Sequence, residues 1–195
     1  MNPASLLFPY LEAIATALKA GNATEHTHRP ALKTLLEAVG TQAAASGGKY
    51  AQGAVQATNE PQRIDCGAPD FIITRGVLPL GYVEAKDVGV HLDKAAESAQ
   101  LRRYRESLPN LILTDYLEFR WFVDGECQLS ASLPRPGKDG KVRWNDAAAA
   151  EVAQLLLRFM QADMPVKATP HDLAVRMAGL GRLIRELITK TFEAE

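Results

Sequence analysis

The sequence predicts an α/β protein in which helices flank a central mixed β-sheet and a helical extension follows at the C-terminus. Two observations predict this class. Apolar residues recur at helical spacing near both ends of the chain, and between them two hairpin patterns enclose a short apolar run. A helical segment connects the first hairpin to that run, which is typical of a parallel crossover within one sheet.

Composition limits the class of protein further. The chain has 195 residues, of which 47% are hydrophobic and 23% charged, which excludes a disordered, collagenous or disulfide-rich protein. A net charge of -1 argues against a strongly basic protein that coats nucleic acid, although it leaves room for a local nucleic-acid site. No apolar run approaches the roughly 18 residues that span a bilayer, and no signal peptide is evident. We therefore expect a cytoplasmic protein that does not bind membranes, with Cys66 and Cys127 as small buried side chains.

Two amphipathic helices are predicted at the N-terminus. Apolar residues from Leu6 to Leu18 recur at helical spacing. The second helix is predicted from Thr27, acting as the N-cap, to Val39, and Gly40 is expected to end it. The segment from Ala43 to Ala54 is Gly-rich and without periodicity, so a loop is predicted there.

The middle of the chain predicts the sheet. Phe71–Thr74 and Leu80–Lys86 form the first hairpin pattern, and a helix is predicted from Asp93 to Ser107. The apolar run Leu111–Thr114 is then expected to be a buried strand, parallel to an earlier one.

A second hairpin follows directly. Its strands are predicted at Leu117–Val123 and Glu126–Leu133, and Asp124-Gly125 between them is a strong two-residue turn signal. The strand pattern ends at residue 133.

Three regions are predicted along the chain: a core over residues 1–133, a linker or loop over 134–145, and a helical extension over 146–195. Pro, Gly and charged residues mark the linker. The extension is expected to contain a helix from Asp146, its N-cap, to Met160, and another that begins near Thr169. Apolar residues in the last helix follow a heptad spacing, so we expect this region to pack on the core or on a further domain.

Charged residues at the ends of the first hairpin are the strongest chemical signal. Asp70 precedes the first strand, and Glu84-Ala85-Lys86 ends the second. Because side chains alternate along a strand, Glu84 and Lys86 project from one face, and the hairpin can bring Asp70 beside them. On spacing alone, a solvated strand face with Asp70 as a turn cap fits equally well.

Such a set suits a divalent cation. Magnesium prefers carboxylate oxygens, takes one or two of them from a protein and completes its shell with water and substrate phosphate. The backbone carbonyl of Ala85 can add a third protein oxygen. A metal held there would activate a water while Lys86 orients that water or stabilises negative charge, which suits phosphodiester hydrolysis.

The same residues carry a family resemblance. The segment from Cys66 to Phe71, followed by the segment from Gly81 to Asp87, resembles the catalytic hairpin of the PD-(D/E)XK nuclease superfamily. The segment from Gln100 to Arg105 and the run from Leu111 to Trp121 resemble the N-terminal nuclease domain of bacterial restriction-modification enzymes that fuse a nuclease with an adenine methyltransferase. The resemblance covers residues 4–123 and implies a restriction-endonuclease-like core.

The resemblance implies roles for individual residues. Asp70 and Glu84 would bind the metal, and Lys86 would assist the water. Gln100 matches a glutamine that contacts the water at the metal site or the scissile phosphate, and Tyr104 lies one helical turn away on the same face. On sequence alone, Gln100 and Tyr104 fit a helix that packs its tyrosine on the sheet equally well.

Site roles are also assigned to Glu25 and to residues of the predicted helix, and each of these has a purely structural alternative. Glu25 matches an acidic residue that such nucleases place near the metal, although a charge stabilised by the start of a helix explains it as well. Arg102 and Arg103, with Tyr104 and Arg105 beside them, are expected to contact DNA phosphates. A solvated helix face is the alternative for the arginines.

The expected function is a Mg²⁺-dependent DNA endonuclease of bacterial defence, with Mn²⁺ able to substitute, that leaves a 5'-phosphate. No methyltransferase motif is present, so the methyltransferase and target-recognition domains of the family are absent from this chain. Expected partners are double-stranded DNA, those missing domains, and a second copy of the chain for cutting both strands. The alternatives are a catalytically silent nuclease-fold module for DNA binding or assembly, and an unrelated α/β interaction protein.

Overall fold

The computed structural model describes residues 3–45, 54–76, 78–137 and 139–162, together with Met177, Gly181 and Arg185. The chain divides into two compact units, Met1–Met164 and Pro165–Glu195. In the second unit the three described residues are helical. The rest of the helix predicted from Thr169, with its heptad pattern, lies outside the described residues.

A six-stranded mixed sheet forms the centre of the first unit. Its strands lie in chain order, and only β3 and β4 run parallel, whereas every other neighbouring pair is antiparallel. The strands are β1 (Val55–Asn59), β2 (Phe71–Arg75), β3 (Leu78–Ala85), β4 (Asn110–Thr114), β5 (Glu118–Val123) and β6 (Glu126–Ser132). The predicted α/β class and the two predicted hairpins are confirmed.

Helices cover both faces of this sheet. They are α1 (Leu7–Lys19), α2 (Glu25–Ala45), α3 (Leu92–Ala96), α4 (Ala99–Ser107) and α5 (Asp146–Gln161), and a short 3-10 helix (Pro3–Leu6) precedes α1. The buried faces of α1, α2 and α5 share one apolar cluster with β1 to β3, and α3 and α4 pack in a second cluster. No helix in the described part of the chain is long and apolar enough to cross a membrane.

Strand β4 separates the two clusters. Ile112 belongs to the cluster beneath α1, α2 and α5, whereas Leu111 and Leu113 belong to the cluster beneath α3 and α4. The period of two along a strand produces this division. Because α3 and α4 connect β3 to its parallel neighbour β4, they cover the face of β3 that carries Tyr82 and Glu84.

Helix α2 differs from its prediction at both ends. It begins at Glu25, two residues before the predicted N-cap Thr27, and continues through Gly40 to Ala45. Gly40 is a packing residue, because a Cβ at this position would lie 2.5 Å from the side chain of Val55. Strand β1 begins at Val55, directly after the predicted loop, and was not predicted.

Three smaller predictions are wrong for local reasons. The single helix predicted between β3 and β4 is two helices, because Ser98 starts a new one by accepting a hydrogen bond from the Leu101 N–H. The N-cap of α5 is Asn145, whose side chain accepts from Ala148 N–H, and Asp146 is the first helical residue. Cys127 is exposed on the edge strand β6, whereas Cys66 is buried as predicted.

Candidate active site

The first hairpin brings Asp70 and Glu84 together. Phe71 in β2 pairs with Val83 in β3, and extending this register by one residue places Asp70 opposite Glu84. The Asp70 carboxylate is also tied to β3, because its Oδ2 accepts a hydrogen bond of 2.8 Å from the Ala85 N–H. The sheet register therefore holds the two predicted metal-binding carboxylates at one end of neighbouring strands.

The Glu84 carboxylate is buried and only half hydrogen-bonded. Its side chain is 3% exposed. Oε1 accepts from Lys86 Nζ at 2.7 Å and from Gln100 Nε2 at 3.0 Å, whereas Oε2 has no hydrogen-bond partner among the described residues. An unpaired buried carboxylate oxygen is costly, so this atom is available to a cation or a hydrogen-bond donor that the described residues do not supply.

Helix α4 delivers the amide of Gln100 to that carboxylate. Ser98 caps the helix, and Gln100 lies in its first turn over the same face of β3 as Glu84. Gln100 Nε2 also donates to the Tyr104 hydroxyl at 3.3 Å, one turn further along. Tyr104 is 1% exposed, so it supports Gln100 from inside the protein.

Burial sets the acidity of the two carboxyls. It raises the pKa of Glu84, and the charge of Asp70 raises it further, while Lys86 partly offsets the shift. Burial likewise raises the pKa of Asp70, against the stabilising hydrogen bond from Ala85 N–H and the charge of Arg29. A further positive charge nearby would therefore stabilise the ionised form of both carboxyl groups.

Lys86 keeps its proton in this environment. Burial lowers the pKa of its amine, but the hydrogen bond to Glu84 and the nearby carboxylate charges outweigh burial and raise the pKa above its usual value. The side chain remains 24% exposed. An ammonium that reaches solvent can stabilise negative charge on a substrate, whereas it cannot remove a proton from water.

Arg29 is the principal site residue that sequence reasoning missed. Its guanidinium donates to Glu25 at 2.7 Å, to Asp70 at 2.5 Å and to Glu60 at 2.8 Å, and its side chain is 7% exposed. Burial lowers the pKa of Arg29, but the bond to Glu25 and the charges of Asp70 and Glu25 outweigh it and raise the pKa. The only available signal was the i,i+4 spacing of Glu25 and Arg29 on one helix.

Glu25 reaches the site through Arg29. Its backbone N–H donates to Asp87 Oδ1 at 2.7 Å, and its carbonyl accepts from the Tyr116 hydroxyl at 2.7 Å. These two bonds fix the first residue of α2, so the Glu25 carboxylate is directed at Arg29. Asp87 therefore supports the start of α2.

The donor set fits a divalent cation. In the described residues no three His, Cys, Asp or Glu side chains form a metal-binding group. The Asp70 and Glu84 carboxylates with the Ala85 carbonyl are a smaller set of oxygens, of the kind that Mg²⁺ uses with water and phosphate. In an extended strand the N–H and C=O of a residue point to the same side, so the Ala85 carbonyl faces the side of Asp70. The unpaired Glu84 Oε2 adds an oxygen without a competing hydrogen bond.

The residues predicted to contact DNA phosphates differ in their exposure and in their surroundings. Arg102 and Arg103 are exposed on α4, and Arg103 Nε donates to the Cys66 carbonyl. Arg102 and Arg105 line a surface depression whose remaining residues include three acidic side chains, Glu106, Asp124 and Glu126. The Tyr104 side chain is buried and its hydroxyl accepts a hydrogen bond from Gln100, and its assignment to phosphate stays a prediction.

Comparisons with known proteins give a fold likeness. No family model matches the sequence, and no curated protein matches it. Among solved structures, a chain in the cryo-EM structure of a DrdV–DNA complex is similar with a TM-score of 0.60 and 20% sequence identity. The match covers 84% of this chain and 14% of that chain. The chain therefore shares the fold of a segment of the much longer DrdV chain.

Proposed function

We propose that the chain is a metal-dependent DNA endonuclease domain. The observation that carries this proposal is the Glu84 carboxylate, which is buried opposite Asp70 with one oxygen bound by Lys86 and Gln100 and the other unpaired. This arrangement leaves a metal-binding oxygen beside a protonated amine. That combination suits hydrolysis of an anionic ester.

Each residue has a defined part in such a reaction. Asp70, Glu84 and the Ala85 carbonyl would hold Mg²⁺ or Mn²⁺, which supplies an activated water and neutralises charge on the phosphate. Lys86 orients the attacking water and stabilises the negative charge that develops on the phosphate oxygens. Gln100 fixes Glu84 through Oε1. The water oxygen bonds to phosphorus and releases its proton to solvent, and the bond from phosphorus to the 3'-oxygen breaks. The 3'-oxygen takes up a proton from solvent, so the products carry a 5'-phosphate and a 3'-hydroxyl.

DNA is the proposed substrate for two reasons. The hairpin and the helix with Gln100 resemble the PD-(D/E)XK nucleases of fused restriction-modification enzymes, and the fold likeness is to a chain solved in complex with DNA. This chain covers 14% of that DrdV chain, so further domains are proposed to supply methylation and target recognition. Cleavage of both strands would use a second copy of the nuclease.

The test is cleavage of supercoiled plasmid in Mg²⁺ or Mn²⁺. The wild-type chain is expected to nick the plasmid, and Glu84→Gln to abolish nicking while the fold is retained. Glu151→Gln removes an exposed carboxylate on α5 and serves as the matched control with wild-type activity. Equal activity of both variants would contradict the proposal, and a wild-type chain that binds the plasmid without cleaving it would favour the silent module.

A further inference from the structure

The Arg29 guanidinium lies between the carboxylates of Glu25 and Asp70 and donates to both. We propose that it fills the position in which these two carboxylates could otherwise bind a second metal ion, so the site holds one divalent cation and Glu25 is not a metal ligand. The inference rests on the proposed function, because it concerns the metal of the same site. It makes Arg29 a positioning residue for Asp70.

The contacts of Arg29 define its position. One terminal nitrogen binds both Glu25 Oε1 and Asp70 Oδ1, and the other binds Glu60 Oε1. These carboxylates belong to α2, to the residue before β2 and to the residue after β1, so the guanidinium joins three segments of the chain. Asp70 uses its second oxygen for the Ala85 N–H, so Arg29 and β3 together orient the carboxylate.

Charge balance favours a single divalent ion. Four carboxylates, Glu25, Glu60, Asp70 and Glu84, meet two cations, Arg29 and Lys86, in this group of ion pairs, and the His26 imidazole also contacts Glu60. With these acids and cations ionised and the imidazole counted as neutral, four negative and two positive charges leave -2, which one divalent cation neutralises. A guanidinium keeps its charge at all ordinary pH values, so the second position is closed permanently.

The open oxygen belongs to Glu84. Its Oε2 has no hydrogen-bond partner in the described part of the chain, whereas Arg29 binds Oε1 of Glu25 and Oδ1 of Asp70. The strand register places Asp70, and not Glu25, opposite Glu84, and Asp70 Oδ2 accepts a hydrogen bond from the Ala85 N–H of the same strand as Glu84. We therefore assign the single ion to Glu84, with Asp70 opposite it.

The first experiment measures Mn²⁺ binding to the full chain by isothermal titration calorimetry. The wild-type chain is expected to bind one Mn²⁺, and Glu84→Gln to lose it. Glu25→Gln is expected to bind one Mn²⁺ with an affinity within about threefold of the wild type. Two ions in the wild type, or loss of binding in Glu25→Gln, would overturn this inference and leave the nuclease proposal standing, whereas absence of Mn²⁺ binding in the wild type would overturn both.

The second experiment removes the guanidinium. Arg29→Met has a similar length without charge and is expected to bind a second Mn²⁺, which the double variant Arg29→Met with Glu25→Gln should lose again. Arg29→Lys keeps a cation and is the matched control, with one ion expected. One Mn²⁺ with unchanged affinity in folded Arg29→Met would contradict the exclusion of a second ion. The wild-type and Glu25→Gln titrations test the inference independently of how well Arg29→Met folds.

Discussion

The Arg29 guanidinium binds carboxylates of very different exposure, which predicts two different coupling energies. The Asp70 side chain is 14% exposed, whereas the Glu60 side chain is 65% exposed, and each accepts a hydrogen bond from the same buried guanidinium. Solvent screens the second pair far more than the first. We expect Arg29 to stabilise the fold through Asp70 rather than through Glu60.

The magnitudes follow from the burial of each partner. A hydrogen bond to a charged group contributes about 1.5–3 kcal/mol when it is shielded, so we expect a coupling of about 2 kcal/mol between Arg29 and Asp70. Exposed ion pairs contribute about 0.2–1 kcal/mol, so the coupling between Arg29 and Glu60 should be about 0.5 kcal/mol. Arg29→Met alone should cost about 3–5 kcal/mol, because it leaves buried carboxylates without their cation.

Two double-mutant cycles measure these couplings. One combines Arg29→Met with Asp70→Asn, and the other combines Arg29→Met with Glu60→Gln, in the presence of EDTA so that no divalent ion replaces the guanidinium. Urea unfolding, followed by tryptophan fluorescence, gives the free energy of each variant. Equal couplings in the two cycles, or a larger one for Glu60, would refute the assignment of Arg29 to Asp70.

Three further predictions concern packing and protonation. Asn110→Leu should lower the free energy of unfolding in urea by about 3 kcal/mol or more, because the buried carbonyls of Leu80 and Phe159 and the half-buried Trp121 indole lose their hydrogen bonds to the Asn110 amide. A loss below about 1 kcal/mol would contradict this. Gly40→Ala should lower the free energy of unfolding by about 1–3 kcal/mol despite the better helix propensity of alanine, because the added Cβ meets the Val55 side chain. Adding Val55→Ala to this variant should recover part of the loss. A Gly40→Ala variant that is more stable than wild type would contradict this packing. Burial raises the pKa of Glu84, so the charged form of this residue destabilises the fold. In EDTA, the stability of Glu84→Gln relative to wild type should therefore increase as pH rises from the usual glutamate range through the raised pKa. A stability difference that is independent of pH would contradict this prediction.

The chemical part of the site was readable because its residues lie close together in the chain. Asp70, Glu84 and Lys86 belong to one hairpin, where strand alternation and the turn fix which side chains meet. Gln100 was assigned through the family resemblance, and helix α4 carries it to the same face of the sheet as Glu84. The local pattern of a sequence indicates which side chains of a hairpin share one face of the sheet.

Arg29 was not readable in the same way. It lies on helix α2, 41 residues before Asp70, which precedes strand β2, and no local pattern specifies that pairing. Gly40 was misread for a related reason, since a glycine that ends a helix and one that lets a helix approach Val55 look alike in sequence. Both depend on where α2 packs, which only the tertiary structure determines.

The most direct test of the proposed nuclease site uses Lys86. Cleavage of supercoiled plasmid in Mg²⁺ or Mn²⁺ would be compared between wild type, Lys86→Ala and Lys141→Ala, the last removing a lysine whose side chain is 85% exposed. The account predicts metal-dependent nicking by the wild type and Lys141→Ala, with 5'-phosphate ends, and no nicking by folded Lys86→Ala. Equal nicking by Lys86→Ala and Lys141→Ala would contradict it.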